Sequence, residues 1–421
     1  MRAMKKICLV MAAVSLCIML GHPMTVTAKP AASLKAAFVR GGDLWLKAGG
    51  TEKQLTKGDS VRKPKWSFDG EWIAYTRGEG EQELRLWHVP TGKSELVSEN
   101  GGSNFQWSPD RNRLAFLLDR KLVWVRPDKP DDQMEAADGI SNFSWLPDGN
   151  GFVASGAAEL LPDGWTPVPI LEIPLTKNIE PKRAKTLYVL PKQSDDFFAV
   201  GTSEFKFSPS GRWMAFLATP TASLSADSNT LILLSADGAF FRKVDQMANN
   251  KDWFKWADRK DKLAYIGGVG REATSNKQLR VLEAPDGKPV SYTPAGYVDQ
   301  SFTWQGMQDV VVSRAKERKP SDSSAAQAQN LPKLVEIKLQ SRRDKPITEP
   351  PKQYGDFNPQ FLQRVGQLAW VRSNQSIANA MISGRSGKQP SIYIKNIDLG
   401  ANFYQQWRWS DVLSFYSLRN T

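Results

Sequence analysis

The sequence predicts an all-β chain, a β-propeller of seven or eight four-stranded blades whose ring is closed by strands from both chain ends. Three observations lead there: one phrase recurs, its period matches a blade, and each copy carries four short alternating runs. The phrase is an aromatic–polar–aromatic triplet followed by a tight turn and an apolar run. It is plainest in "KWSFDGEWIAYT", "FQWSPDRNRLAFLL" and "FKFSPSGRWMAFLA". Its anchors are Trp66, Trp107, Trp145, Phe207, Trp256 and Trp304, spaced by 41, 38, 62, 49 and 48 residues. Weaker copies begin near Phe357 and at Trp409. Periods of roughly 40 to 50 residues holding several strands each are a propeller signature. Eight phrases favour eight blades over seven.

Each part of the phrase has a physical task. Alternation places Phe105 and Trp107 on one face of a strand, as it does Phe143 with Trp145 and Phe254 with Trp256. Paired aromatics on one face suit a sheet packed closely on another sheet. The turns read "SFDG", "SPDR", "LPDG" and "SPSG". Proline presets φ, Asp or Ser bonds the nearby backbone, and glycine takes the positive φ. Second strands follow as "WIAYT", "RLAFLL", "GFVAS", "RWMAFL", "KLAYIG" and "DVVVS", several with an Ala that lets neighbouring sheets approach. Third strands are "LRLWHV", "KLVWV", "TLILLS", "QLRVLE", "KLVEIK" and "SIYIKNI"; fourth strands are short and polar, as in "SELVS" and "KPVSYT".

A linear array would leave open sheet edges, and a closed ring removes them. The N-terminal "AAFVRGGDLWLKAGGTEKQLT" lacks a first strand, and "WRWS" at the C-terminus is read as that strand. "VLSFYSL" and "AAFVR" then compete for the second position.

The phrases "WSFDGEWIAY", "WSPDRNRLAF" and "FSPSGRWMAF" resemble the tryptophan–serine–proline–aspartate–glycine repeat of the TolB-like propellers, relatives of the WD-repeat proteins. The resemblance covers roughly residues 35–420, is strong in the first half and decays after Trp256. It implies a propeller of the bacterial cell envelope, commonly a scaffold for other proteins. TolB itself has a separate N-terminal domain, and none is expected within this sequence. Certain oligosaccharide lyases share the architecture, but they rely on a histidine-rich metal site.

Arg2, Lys5 and Lys6 precede the apolar run "ICLVMAAVSLCIML" and the small residues Thr25–Ala28, which reads as a secretory signal over residues 1–28. The mature domain would be 29–421, secreted or held in the envelope; a retained segment would instead be an anchor. No later stretch approaches a membrane-spanning length. Both cysteines, Cys8 and Cys17, fall in the signal, so the mature chain has neither disulfide nor thiol chemistry. His22 falls there too, leaving His88 alone in "LRLWHVP", where it reads as an edge residue. With one histidine and no G-x-S-x-G elbow, a serine triad and histidine metal chemistry are excluded. Gly267–Gly270 precedes no helical pattern, so a phosphate loop fails as well. No metal or cofactor is expected. Asp69, Asp110 and Asp148 recur at blade spacing and read as turn residues.

Lys and Arg total 56 against 44 acids, and losing the three signal charges leaves 53. That balance favours an envelope protein or an anionic wall polymer as partner, and export argues against nucleic acid. A monomer is expected. In each triplet the middle residue points away from its flanking pair: Lys65, Gln106, Ser144, Lys206, Lys255, Thr303 and Arg408. If the triplet strand is innermost, these residues approach a central channel from different blades. Four are cationic, and converging like charges call for water or an anion. The competing placement sets them at blade tops, separately solvated. Three stretches exceed the repeat: the run after Gly156, Arg314–Lys333 and the proline-rich "SRRDKPITEPPKQ". Trp165, in "PDGWTPVP", is the loop candidate for ligand contact. The expected function is a non-enzymatic scaffold that binds through one ring face or the channel. A histidine-independent enzyme or lectin acting on acidic polysaccharide is the second reading.

Overall fold

The structure is a computed structural model and describes residues 34–175, 184–318 and 330–416. The segment read as a signal lies outside these residues. The chain forms a ring of eight four-stranded antiparallel blades. Blade 1 joins Leu413–Phe415 to Lys35–Arg40, Asp43–Ala48 and Thr51–Gln54. Blade 2 is Arg62–Trp66, Trp72–Arg77, Glu83–His88 and Lys93–Ser98. Blade 3 is Ser103–Trp107, Leu114–Leu118, Lys121–Arg126 and Lys129–Ala137. Blade 4 is Ile140–Trp145, Gly151–Gly156, Pro169–Pro174 and Lys185–Val189. In blade 5 the inner strand is broken into Gly201–Thr202 and Lys206–Phe207; Trp213–Thr219, Asn229–Ser235 and Phe241–Met247 follow. Blade 6 is Phe254–Trp256, Lys262–Gly267, Gln278–Glu283 and Val290–Ser291. Blade 7 is Tyr297–Trp304, Asp309–Lys316, Lys333–Lys338 and Arg343–Pro346. Blade 8 is Gly355–Leu362, Gln367–Ser373, Ala378–Gly384 and Ser391–Ile397.

Hydrophobic packing lies between blades rather than within them. Leu84 and Leu86 of blade 2, for example, pack with Phe105, Phe116 and Val125 of blade 3, all fully or almost fully buried. The triplets organise each junction. Their flanking aromatics face the preceding blade, and their middle residues face the next one. The indole Nε1 of Trp66 donates to the Ser414 carbonyl at 3.0 Å, Trp107 to Lys65 at 3.0 Å and Trp145 to Gln106 at 3.0 Å. Trp256 donates to the Lys206 carbonyl at 2.7 Å and Trp304 to Lys255 at 2.9 Å. At the other junctions the Phe205 amide donates to Ser144 Oγ and the Phe361 amide to Thr303 Oγ1. Blades 8 and 1 meet through Arg40 to the Lys395 carbonyl at 2.6 Å and Tyr393 Oη to the Leu34 carbonyl at 2.9 Å. The alanines of the second strands pair with the middle residues: Ala37 with Ser414, Ala74 with Lys65, Ala115 with Gln106, Ala215 with Lys206 and Ala264 with Lys255. All five are fully buried and leave room for the next blade's first aromatic.

The turn phrase behaves as its residues dictate. Ser67 Oγ donates to Asp69 at 2.7 Å and accepts from the Trp72 amide at 3.0 Å, while Gly70 takes φ 71°. Asp69 and Asp110 are thus occupied in turns. His88 ends a third strand and packs on the Trp72 ring at 4.2 Å.

The ring closes within a shared blade, but with a different strand from the one expected. The inner strand of blade 1 is Leu413–Phe415, so Ser414 holds the middle position and "AAFVR" is the second strand. Arg408 instead ends an exposed hairpin, Ala401–Phe403 with Gln406–Arg408, and Trp409–Asp411 is a 3-10 turn. "WRWS" imitates the phrase because Trp407 and Trp409 alternate as an inner strand would. In fact their rings stack on each other at 5.2 Å, and Trp409 packs against Phe357 at 5.8 Å. The long insertions shrink as well. Pro169–Pro174, Lys185–Val189 and Arg343–Pro346 are blade strands, and Arg314–Lys316 belongs to one.

Two stability predictions follow from the junctions. Replacing Trp256 by Phe removes a donor from the Lys206 carbonyl and costs about 1–3 kcal/mol. The indole N–H of Trp213 is buried without a partner among the described residues, so Trp213→Phe costs at least about 1 kcal/mol less. Urea unfolding of both variants measures the difference. Deleting residues 412–421 removes the closing strand and is expected to abolish cooperative thermal unfolding, read by circular dichroism.

Candidate functional site: charged groups at the channel axis

In an antiparallel meander the inner strand starts on the face where the second strand ends and the fourth strand ends. All connections between second and third strands, and between successive blades, therefore open on one face, called here the entry face. The candidate site lies inside its mouth.

Lys65, Lys206 and Lys255 come from blades 2, 5 and 6 and are half-buried. Each ammonium reaches the first aromatic of the next blade. Lys65 Nζ donates to the Phe105 carbonyl at 2.7 Å, Lys206 to that of Phe254 at 3.0 Å and Lys255 to that of Phe302 at 2.8 Å. Each also sits over that residue's ring, at 4.3, 4.3 and 5.3 Å from the centroid. Lys206 further donates to the Lys251 carbonyl. Gln106 uses its amide in the same way, donating to Phe143 at 2.8 Å. These middle residues are therefore forward straps between blades and not free channel-lining groups.

The three lysines nonetheless share charged neighbours. Burial pushes Lys65 down to about 8; Lys251 adds to the shift, and Glu204 opposes it. Lys251 and Glu204 belong to the segments entering blades 6 and 5, across the ring from blade 2, so this coupling crosses the channel. Burial likewise pushes Lys206 down to about 8 against the pull of Asp252 and Glu204, and it lowers Lys255 against Asp252. Burial alone would raise Glu204 and Asp252. The surrounding lysines outweigh it and hold both carboxyls below their ordinary range. Lys251 Nζ pairs with Glu204 at 2.7 Å. Ser410 Oγ donates to Asp252 at 3.2 Å, bringing the C-terminal turn to the same cluster. Burial raises Asp411 there against Lys63 and Arg408.

Of the residues expected to line the channel, Lys65, Lys206 and Lys255 all have Asp252 among their charged neighbours. Gln106 serves a junction, and Arg408 is exposed on the hairpin. Trp165 lies in a short hairpin, Leu160–Leu161 with Gly164–Trp165, on the entry face and is half-buried. Lys251, Glu204, Asp252 and Asp411 escape sequence reasoning because they sit in connections that obey no period. A signal was present: Glu204 directly precedes its triplet, and Asp252 stands two residues before Phe254. Among the described residues, no group of three or more His, Cys, Asp or Glu side chains is placed to hold a metal.

No family model matches the chain, and no curated protein matches it. Among solved structures, a eukaryotic initiation factor matches at 12% identity over 87% of this chain and 98% of its own, with a TM-score of 0.51. A prolyl endopeptidase matches at 15% identity over 82% of this chain, with a TM-score of 0.51; this chain covers 50% of its length. The chain is an eight-bladed β-propeller. TolB from Acinetobacter baumannii matches over 62% of this chain and 66% of its own, at 16% identity and a TM-score of 0.39. Likeness at these identities shows the fold alone, and the turn phrases keep their resemblance to TolB-like repeats.

The compensation at the axis predicts unequal effects of two variants. Lys206→Met loses its straps but also a charge held out of water, and stays within about 1 kcal/mol of the parent. Asp252→Asn leaves the lysines under-compensated and costs about 1–2 kcal/mol. Urea unfolding at pH 7 distinguishes the two.

Proposed function

We propose that the chain is an exported, non-enzymatic propeller scaffold that receives an anionic group of a partner at the mouth of its channel. The observation that carries this reading is that Lys65, Lys206 and Lys255 spend their ammonium groups on carbonyls and pair with no carboxylate among the described residues. Lys65 and Lys206 are held near 8, well below an ordinary lysine. An incoming carboxylate or phosphate would restore these ammonium groups. The ring supports such a role, because hydrogen-bonded blades hold the lysine straps in place. The charged start and apolar run at residues 2–20 support export, as does a body without cysteine. Among the described residues no helix is long and apolar enough to cross a membrane.

The sign of the pH effect follows from the shifts. Folded-state values near 8 lie below the unfolded value of 10.5, so the lysines lose their protons in the fold first. Anion binding is expected to be full below pH 7 and to weaken as pH rises through 8. Fluorescently labelled polyglutamate, followed by anisotropy, should bind at least tenfold more weakly at pH 9.5 than at pH 7. It should also weaken between 50 and 300 mM salt. The double variant Lys206→Glu, Lys255→Glu should abolish binding. An affinity that is flat with pH, or unchanged in the double variant, removes the channel mouth as the site.

A further inference from the structure

The two faces of the ring differ in what they expose. Among the described residues eleven large apolar side chains are exposed, and all but Met307 and Ile392 lie on the entry face. They are not spread evenly around it. The connections from second to third strand in blades 1, 2 and 3 are residues 41–42, 78–82 and 119–120, tight turns that carry none of them. The corresponding connections of blades 4, 5 and 6 are residues 157–168, 220–228 and 268–277. The C-terminal hairpin adds to this raised side.

The blade 5 and blade 6 connections and the C-terminal hairpin are tied into one ridge. The Gly270 amide donates to the Asp227 carbonyl at 2.7 Å, and Arg271 pairs with the Asp227 carboxylate, joining the blade 5 and blade 6 connections. The Ala273 amide donates to the Tyr404 carbonyl at 3.0 Å and Gln406 Nε2 to the Arg271 carbonyl at 2.7 Å, which docks the hairpin. The Arg271 guanidinium lies over the Tyr404 ring at 5.3 Å. Along this ridge Leu224, Val269, Phe403 and Tyr404 are 54, 49, 46 and 44% exposed. At the hairpin tip, Tyr404 and Gln405 both have positive φ, 50° and 63°. Two-residue turns of this kind favour Asn-Gly. Placing a tyrosine in left-handed backbone, beside a phenylalanine and in water, is unfavourable on folding grounds alone.

We infer that the ridge is a docking surface for a protein, and that the bound segment carries apolar side chains next to a carboxylate. The inference rests on the anion reading of the channel mouth and adds the class of partner to it. Charge complementarity selects the carboxylate: Arg408 is exposed at the end of the docked hairpin, and it and exposed Lys251 are both charged neighbours of Asp411 in the adjoining turn. The exposed apolar groups select protein over a wall polymer, because a polyol phosphate or acidic sugar gains little from Phe, Leu and Val. The low side formed by blades 1–3 leaves an extended segment room to cross the mouth and lie against the ridge.

The test is selection from a random dodecapeptide library displayed on phage, with immobilised full-length chain as bait, repeated with two variants. One is the triple variant Leu224→Ser, Val269→Ser, Phe403→Ser; the other is Lys206→Glu, Lys255→Glu. All substituted apolar residues are exposed, so the triple variant should melt within a few degrees of the parent. The expected result is recovery of peptides enriched in both aromatic or aliphatic residues and Asp or Glu. Their affinity should fall at least tenfold in each variant. Recovery of acidic peptides without apolar enrichment, with affinity unchanged in the triple variant, overturns the ridge and leaves the channel reading standing. Binding of polyglycerol phosphate, unaffected by the triple variant and without peptide recovery, overturns it in favour of a polymer. Recovery of apolar peptides that ignore the lysine variant overturns the joint site and the channel reading with it.

Discussion

Everything in this molecule depends on the clasp between neighbouring inner strands. At the junctions after blades 2, 3, 5 and 6 a middle residue sends its side chain forward to the next blade, and its own carbonyl accepts an indole N–H from that blade. The two contacts fix both the separation and the rotation of adjacent sheets. Each is a modest hydrogen bond, but repetition within a closed ring makes it a constraint on the spacing of neighbouring blades. Paired aromatics, buried alanines and Ser-x-Asp turns are the conditions under which the clasp can form.

The same clasp produces the charged axis. A lysine strap must cross to the neighbouring inner strand, which keeps its ammonium near the channel. Three such straps, from blades 2, 5 and 6, would repel one another in a dry channel. The carboxylates of Glu204 and Asp252, brought in by the connections ahead of blades 5 and 6, reduce that cost without cancelling it. In the proposed reading, an architectural device thereby leaves a residual positive field at one mouth. Glutamine, serine and threonine straps at blades 3, 4 and 7 show that the architecture does not require a charge.

Much of the fold was legible because propeller physics repeats. The aromatic triplet, the turn and the alanine opposite the middle residue each recur, and repetition separates them from chance. The closing strand was misplaced because "LSF" carries only one aromatic, whereas "WRW" copies the triplet while its two indoles stack on each other. The inner lysines were legible for the same periodic reason, but their bonding to the next blade was not. A side chain pointing away from its flanking pair can end in water or on a neighbour, and alternation does not choose. The compensating acids lie in aperiodic connections and become meaningful only when the ring brings residues 65, 204, 252 and 411 together.

The central claim is that Lys65 and Lys206 share one partly dry, positively biased axis. The most direct measurement is a pH titration of the lysine side chains by NMR, with the two resonances assigned from Lys65→Arg and Lys206→Arg variants. The account predicts midpoints for both close to 8, with that of Lys206 falling further in Asp252→Asn. Midpoints near 10.5, unmoved by that substitution, would place both ammonium groups in open water and contradict it.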